Sequence, residues 1–307
     1  MRLLTDDRNK VALKKMNNLS YARAPNNGKF DYLTVKELLE RWAKRQPNND
    51  AFVGYNADGT RTSITSEKIL ETSVNAAKYL VKFGMKKEDI VVFCTNNSIQ
   101  MLQMLFGAQI AGGIPLFTLC STSDGSDVIE IVNNAEAKWV VMDSNGQESM
   151  QRLFKRLMES EEFKQKERRV LTIDNDTIRY FDIIKTQDPM LLDLNTHEAS
   201  SGETTVQLPT LYPEDIAMYY KTSGSTGKPK LVGHSHVTFQ NCTHGINAVM
   251  ELKCGDRFFC DRPFAWGVGT PRNYLATGAT RVFADTNMFL HKNNAGSFIT
   301  SMSSACM

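Results

Sequence analysis

The residues best equipped for chemistry run from Thr222 to Lys230, Thr-Ser-Gly-Ser-Thr-Gly-Lys-Pro-Lys, one position, Lys221, beyond the apolar run Ile216-Ala217-Met218-Tyr219-Tyr220. Their composition is that of a phosphate cradle. Gly224 and Gly227 can take positive φ and turn backbone N–H groups onto an anion. The hydroxyls of Thr222, Ser223, Ser225 and Thr226 add hydrogen-bond donors, and Lys228 and Lys230 bring charge. Such a loop has every group needed to hold a triphosphate.

The spacing excludes the commonest phosphate loops. A Walker A loop separates its glycines by four residues and places Lys-Ser/Thr at the head of a helix. Here Gly224 and Gly227 stand three apart, Pro229 follows Lys228, and the residues beyond are β-like. The Rossmann glycine pattern is absent as well.

The elements that must carry this loop follow from periodicity. Leu33 to Arg45 has a helical period, with Leu38, Leu39 and Trp42 on one face, and Pro47 stops it. Ala51–Tyr55 and Arg61–Ile64 read as a hairpin. Strands and helices then alternate: a helix from Ser66 to Phe83, a strand at Ile90–Phe93, a helix from Ser98 to Ala111 and a strand at Ile114–Phe117. A helix near Val128–Ala135, a strand at Trp139–Met142, one charged helix from Glu148 to Glu167 and a strand at Val170–Ile173 complete the first half. Beyond the loop, Leu231-Val232 reads as strand, Ser235–Glu251 as one helix, and Arg257–Cys260 and Thr280–Ala284 as strands.

Helices of that length between strands imply crossover connections and a mainly parallel, doubly wound sheet. The expected division is an arm at 1–30, a first α/β subdomain at 31–185, a linker or surface loop at 186–209, the start of a second α/β subdomain at 210–286 and an irregular tail at 287–307. Strand order does not follow from this pattern.

Composition sets the outer limits. The chain has 307 residues, 41% apolar and 23% charged, enough to bury a core. The 36 basic and 34 acidic residues leave a net charge of +2, which offers no field for gathering nucleic acid or an anionic membrane. The 6 cysteines form no CxxC pair and no Cys/His cluster at metal spacing, so reduced thiols and no metal site are expected. The N-terminus lacks the apolar core of a secretory signal, and the apolar stretch from Met104 to Phe117 is too short to span a bilayer. A soluble cytoplasmic protein is expected; Asp6 and Asp7 count against a mitochondrial presequence without excluding one.

The loop resembles the signature of the adenylate-forming enzymes: acyl-CoA synthetases, luciferase-like and coumarate ligase-like proteins and peptide-synthetase adenylation domains. Their Ser/Thr/Gly-rich loop ends in Gly-x-Pro-Lys, as Gly227-Lys228-Pro229-Lys230 does, and often runs on to Ser-His, as Ser235-His236 does. Glu37–Pro47 is similar to the family's opening helix, and Ala76–Pro115 to its first subdomain. Pro263-Phe264-Ala265-Trp266-Gly267-Val268-Gly269 sits where the family has a Pro-aromatic segment beside the acyl pocket. Two departures stand out: Leu231 replaces the glycine usual after the loop lysine, and Lys221 replaces a common aromatic.

The resemblance implies two stacked doubly wound α/β subdomains, the second incomplete. It implies ATP, Mg²⁺ and CoA, and a reaction in which a carboxylic acid, expected to be a medium- to long-chain fatty acid, becomes acyl-adenylate and then thioester. No protein nucleophile is needed, because such a transfer is catalysed by positioning and charge stabilisation. Thr222, Ser223, Gly224, Ser225, Thr226, Gly227 and Lys230 are the expected phosphate ligands, and Trp266 and Gly269 the expected acid-facing residues. Trp266 reads equally well as a core residue.

Full-length members continue for about as many residues again, with segments for adenine, ribose, metal and a C-terminal lysine. Weak or absent turnover is therefore the expectation for this length of chain. The alternative expectation is a non-catalytic nucleotide- or partner-binding module, with a protein covering an unpaired sheet edge.

Overall fold

The computed structural model describes residues 31–56, 59–144, 148–174, 177–182, 188–195, 206–222, 230–267 and 269–284. The arm at 1–30, the tail at 287–307 and Ser223–Pro229 of the phosphate loop lie outside them. The described chain is α/β, with two sheets rich in parallel strands. It opens with α1 (Val35–Arg45), β1 (Asp50–Tyr55), β2 (Arg61–Thr65), α2 (Ser66–Lys82), β3 (Ile90–Cys94), α3 (Ile99–Ile110) and β4 (Ile114–Phe117). Next come α4 (Ser126–Asn134), β5 (Trp139–Asp143), α5 (Glu148–Glu159), α6 (Glu161–Gln165), β6 (Arg169–Asp174), β7 (Thr177–Phe181) and β8 (Met190–Leu192). It closes with β9 (Ile216–Lys221), β10 (Leu231–Ser235), α7 (His236–Asn241), α8 (His244–Val249), β11 (Arg257–Phe259), α9 (Arg272–Thr277) and β12 (Thr280–Ala284).

The larger sheet runs β10-β9-β4-β3-β5-β6-β7-β8 and the smaller β11-β12-β1-β2. Residues 210–286 are thus shared between the sheets. β9 joins β4 in parallel, Leu116 opposite Tyr219, whereas β12 joins β1 in parallel, Phe52 opposite Arg281. The chain-order division at 186–209 is not where the sheets divide.

Helices α1, α2 and α3 lie between the sheets, in one core with Phe52 and Ile64 of the smaller and Val91, Phe93 and Phe117 of the larger. The opposite face of the larger sheet, with Val92, Leu116, Val140 and Val170, packs on α4, α5 and α6. Alternate residues of one strand serve opposite faces, the period-2 logic of a sheet covered on both sides.

Helix α3 is mostly apolar and almost wholly buried, with Gln100 and Gln103 half-buried, as suits a helix between two sheets. Its polar Gln109 donates to Ala217 O at 2.8 Å and so fastens the helix to β9. Gly107 lets α2 approach: a Cβ there would meet Ala76 Cβ at 2.6 Å.

Helix α7 clasps the start of the described chain. Gln240 donates to Leu33 O at 3.0 Å, Asn241 to Asp31 O at 2.9 Å, and Val35 N–H to His236 Nδ1 at 3.2 Å. Thr34 caps α1 with a capping box to Glu37, which satisfies two otherwise orphaned N–H groups. His236 is buried, which pushes its pKa down to about 4; Asp215 and Glu37 oppose that shift and Lys87 adds to it.

Five elements differ from the sequence reading. The single charged helix at 148–167 is two, because Ser160 caps a new one by accepting from Phe163 N–H. The helix at 235–251 is also two: the Thr243 hydroxyl donates to Gln240 O at 3.0 Å, a local bond that competes with helix continuation. Strands β7 and β8 extend the sheet from β6 into the expected linker. Helix α9, unexpected, is framed by Pro271 and by Gly278 at φ 72°, the familiar start and stop residues.

Two stability predictions follow from this packing. Gly107→Ala should lower the urea midpoint, at a cost of about 1–3 kcal/mol for overpacking, whereas Gly245→Ala in α8, with nothing within 4 Å, should raise it by about 0.5–1 kcal/mol. The unfolded chain protonates His236 near the ordinary pH 6.5, whereas the fold resists protonation down to about 4. Stability from the neutral ring is therefore complete above the ordinary pKa and is lost as pH falls through that window, up to about 3 kcal/mol. Urea titrations across the window should show the loss, and His236→Asn should flatten it.

Candidate functional site

Two strand ends create a crevice in the larger sheet. After β3 the chain turns to α3 on one face, and after β4 to α4 on the other. Ligands of open α/β sheets bind where successive connections diverge in this way, beyond the carboxyl ends of the strands. A cavity of about 470 Å³ lies beyond the carboxyl ends of β4 and β9, lined by Phe117 of β4, Thr118 and Leu119 after it, Tyr219, Tyr220 and Lys221 of β9, and Trp266. Its size falls within the ~300–1,000 Å³ of small-molecule sites.

The phosphate loop leaves β9 at the rim of this cavity. Thr222 N–H donates to Lys230 O at 2.9 Å, and Lys230 N–H to Thr222 Oγ1 at 3.3 Å. These bonds close the neck of the hairpin between β9 and β10, so Thr222 shapes the loop's base as well as offering a hydroxyl. Both residues are exposed. Ser223, Gly224, Ser225, Thr226 and Gly227 lie outside the described residues.

The wall opposite is the Pro263–Thr270 segment. Trp266 N–H donates to Pro263 O at 3.0 Å and Gly269 N–H to Trp266 O at 2.8 Å, which winds the segment into a tight turn. The Thr270 hydroxyl donates to Trp266 O at 3.1 Å. A Cβ on Gly269 would stand 1.9 Å from Pro263 O, so this position needs glycine for the turn itself. Gly269 is buried and does not line the cavity.

Three buried polar side chains hold that turn by its main chain. Arg281 donates to Gly269 O at 2.9 Å. Asn97 accepts from Phe264 N–H at 2.9 Å and donates to Ala284 O at 3.2 Å, joining the end of β3 to the end of β12. Arg272 donates to Gly267 O and to Cys242 Sγ, with its guanidinium 5.6 Å from the Tyr220 ring centre. None of the three was read as a site residue. A polar residue in an apolar context, such as Arg281 within Thr-Arg-Val-Phe-Ala, was the available signal.

Electrostatics at the cavity floor favour neutral groups. Burial raises the Tyr220 pKa, against the pull of Arg272, and its hydroxyl donates to Thr270 Oγ1 at 3.2 Å. Burial and Arg272 both lower the pKa of His234, whose ring packs edge-on against Tyr220 at 4.7 Å. Asp127 stays below the carboxylate range despite burial, because Ser121 and Thr122 donate to it and shape the loop after β4. Among the described residues, no three His, Cys, Asp or Glu side chains converge on a metal-sized position, and no helix is long and apolar enough to cross a membrane.

Such a crevice, fed by a glycine-rich hairpin loop, defines a small-molecule site of the α/β class. The sequence pattern described as "AMP-binding enzyme" matches residues 39–296, and the chain belongs to that family of adenylate-forming enzymes. It is similar to the Malpinin synthetase of Mortierella alpina, 23% identical over 85% of this chain and 3% of that protein. It is also similar to the acetyl-coenzyme A synthetase of Helicobacter pylori (strain P12), 24% identical over 85% of this chain and 40% of the relative. Among solved structures, a fatty acyl-adenylate ligase from L. pneumophila in complex with acyl adenylate and pyrophosphate superposes with a TM-score of 0.67. It is 19% identical, over 89% of this chain and 43% of that one. The chain thus spans well under half the length of these relatives.

Trp266 is 45% exposed on the cavity rim, whereas Trp42 is 5% exposed and donates to Leu275 O at 2.8 Å. Trp266→Ala should therefore move the urea midpoint by less than about 0.5 kcal/mol, while Trp42→Ala should cost about 3–5 kcal/mol.

Proposed function

We propose that this chain holds ATP and an aliphatic carboxylic acid for an adenylate-forming ligase. In the proposed reaction the acid's carboxylate attacks the α-phosphorus, pyrophosphate leaves, and the acyl-adenylate passes its acyl group to CoA. The observation that carries the reading is the cavity, which is lined both by Lys221, next to the start of the phosphate loop, and by Trp266.

In this reading the amides and hydroxyls of Thr222–Gly227 hold the β- and γ-phosphates, and Lys230 anchors their charge. Mg²⁺, carried in on the triphosphate, supplies countercharge to the departing pyrophosphate. Lys221, exposed on the lining, adds a cation at the same rim. Phe117, Leu119, Ala265 and Trp266 give the cavity apolar and aromatic walls suited to an aliphatic acid, and a fatty acid is the proposed substrate. Gly269 acts through the turn that presents Trp266.

A second reading, a nucleotide- or partner-binding module without turnover, draws on the exposed apolar side chains of Ile246, Val249 and Met250. Calorimetry with ATP·Mg²⁺ and ATP–pyrophosphate exchange with straight-chain acids from acetate upward separate the two. Binding with acid-dependent exchange supports the ligase, and binding without exchange the module. No ATP binding overturns the ligase and the nucleotide-binding form of the module. Lys230→Ala should weaken ATP binding about tenfold, ~1.4 kcal/mol, and Trp266→Ala should alter acid preference with ATP affinity unchanged.

A further inference from the structure

The crevice that opens the cavity also brings two cysteines together. Cys94 is the last residue of β3, and Cys120 lies just past the end of β4, whose Phe117 pairs with Phe93 in parallel register. Both side chains join one apolar cluster on the same face of the larger sheet, with Val92 and Leu116. Cys94 is buried, with its sulfur 3.8 Å from Met150 Sδ. Cys120 is half-buried, and its thiol reaches Thr122 O at 3.5 Å.

We infer that Cys94 and Cys120 are a paired thiol site that a peroxide converts to a disulfide, fastening one wall of the cavity. The two sulfurs are fitted to different parts. The neighbouring Cys94 thiol lowers the Cys120 pKa to about 7; burial opposes this, and Ser149 adds to it. Cys120, then burial, raises Cys94 well above the ordinary thiol value. Cys120 is thus the accessible thiolate near neutral pH, and Cys94 the protonated partner behind it, the arrangement of an attacking and a resolving thiol.

The steps balance. The Cys120 thiolate attacks one peroxide oxygen and breaks the O–O bond, leaving hydroxide, which takes a proton to become water, and a Cys120 sulfenic acid. The Cys94 sulfur then attacks the Cys120 sulfur, the S–O bond breaks, and the hydroxyl leaves as a second water with the Cys94 proton. Two thiols are oxidised and one peroxide is reduced.

Cys120 lies between Leu119 and Ser121, both on the cavity lining. Closing a thiol contact to a bonded S–S of about 2.05 Å draws this loop onto β3. The inference does not depend on the reaction proposed above.

The test treats the reduced full chain with limiting hydrogen peroxide at neutral pH, denatures and alkylates it, and maps peptides by mass spectrometry without reductant. Two of the 6 thiols should be lost, with a Cys94–Cys120 crosslinked peptide that dithiothreitol reverses and slower hydrogen exchange across residues 118–122. Cys94→Ser should leave Cys120 as a dimedone-reactive sulfenic acid. The absence of the crosslink, or oxidation of the exposed Cys242 and Cys254 before Cys120, overturns the pair. A crosslink without slowed exchange overturns the fastening of the wall. Should Cys94→Ser fail to fold, the order of thiol loss in the unmodified chain decides alone.

Discussion

The structure depends on a helix buried on nearly every side. Helix α3 leaves only Gln100 and Gln103 half-buried, so it is stable only with a sheet on each flank, and each fully buried Leu, Ile or Phe contributes about 1.5–3 kcal/mol to that arrangement. That requirement brings β1 and β2 over one side of α3 and β3 and β4 beneath the other. It also explains the buried Gln109, which takes β9 by a main-chain carbonyl and so fixes the strand from which the phosphate loop departs. The position of the site is thus set from behind, by packing.

The cavity wall is held in a different way. Arg281, Arg272 and Asn97 hold the Trp266 turn through backbone carbonyl and amide groups, and the Trp266 side chain is left out of those bonds. Trp266 can therefore face the cavity with its main chain fully anchored. Buried guanidinium groups suit this role, since their planar forks reach several acceptors and stack on aromatic faces; Arg281 lies 5.0 Å from the Phe258 ring centre.

How much of this was legible in the sequence depended on range. The phosphate loop was legible because hydroxyls, glycines and lysines in one short stretch carry their chemistry locally. Strands such as Thr280–Ala284 and helices such as Ser66–Lys82 were legible because one element's periodicity reports its own burial. The pairing of β12 with β1 was hidden, since the same alternation suits either sheet. Strand β7 was overlooked although its buried Ile178 and Tyr180 alternate with half-buried neighbours. Trp266 stood undecided between core and cavity, because its direction is set by a turn held from Arg281, far along the fold. The Cys94–Cys120 contact had no signal in spacing, as it arises only when parallel strands align their ends.

The partnership of β1 with β12 also governs when the protein can fold. Of the described strands β1 is made first and its parallel neighbour Thr280–Ala284 last. During synthesis the β1–β2 hairpin waits with one edge open while the larger sheet assembles around β3 to β6. Long-range pairing of this kind slows folding and leaves strand edges open to the wrong neighbours. The nascent chain therefore carries an exposed seam until β12 is made, and a chaperone acting before then would find its client there.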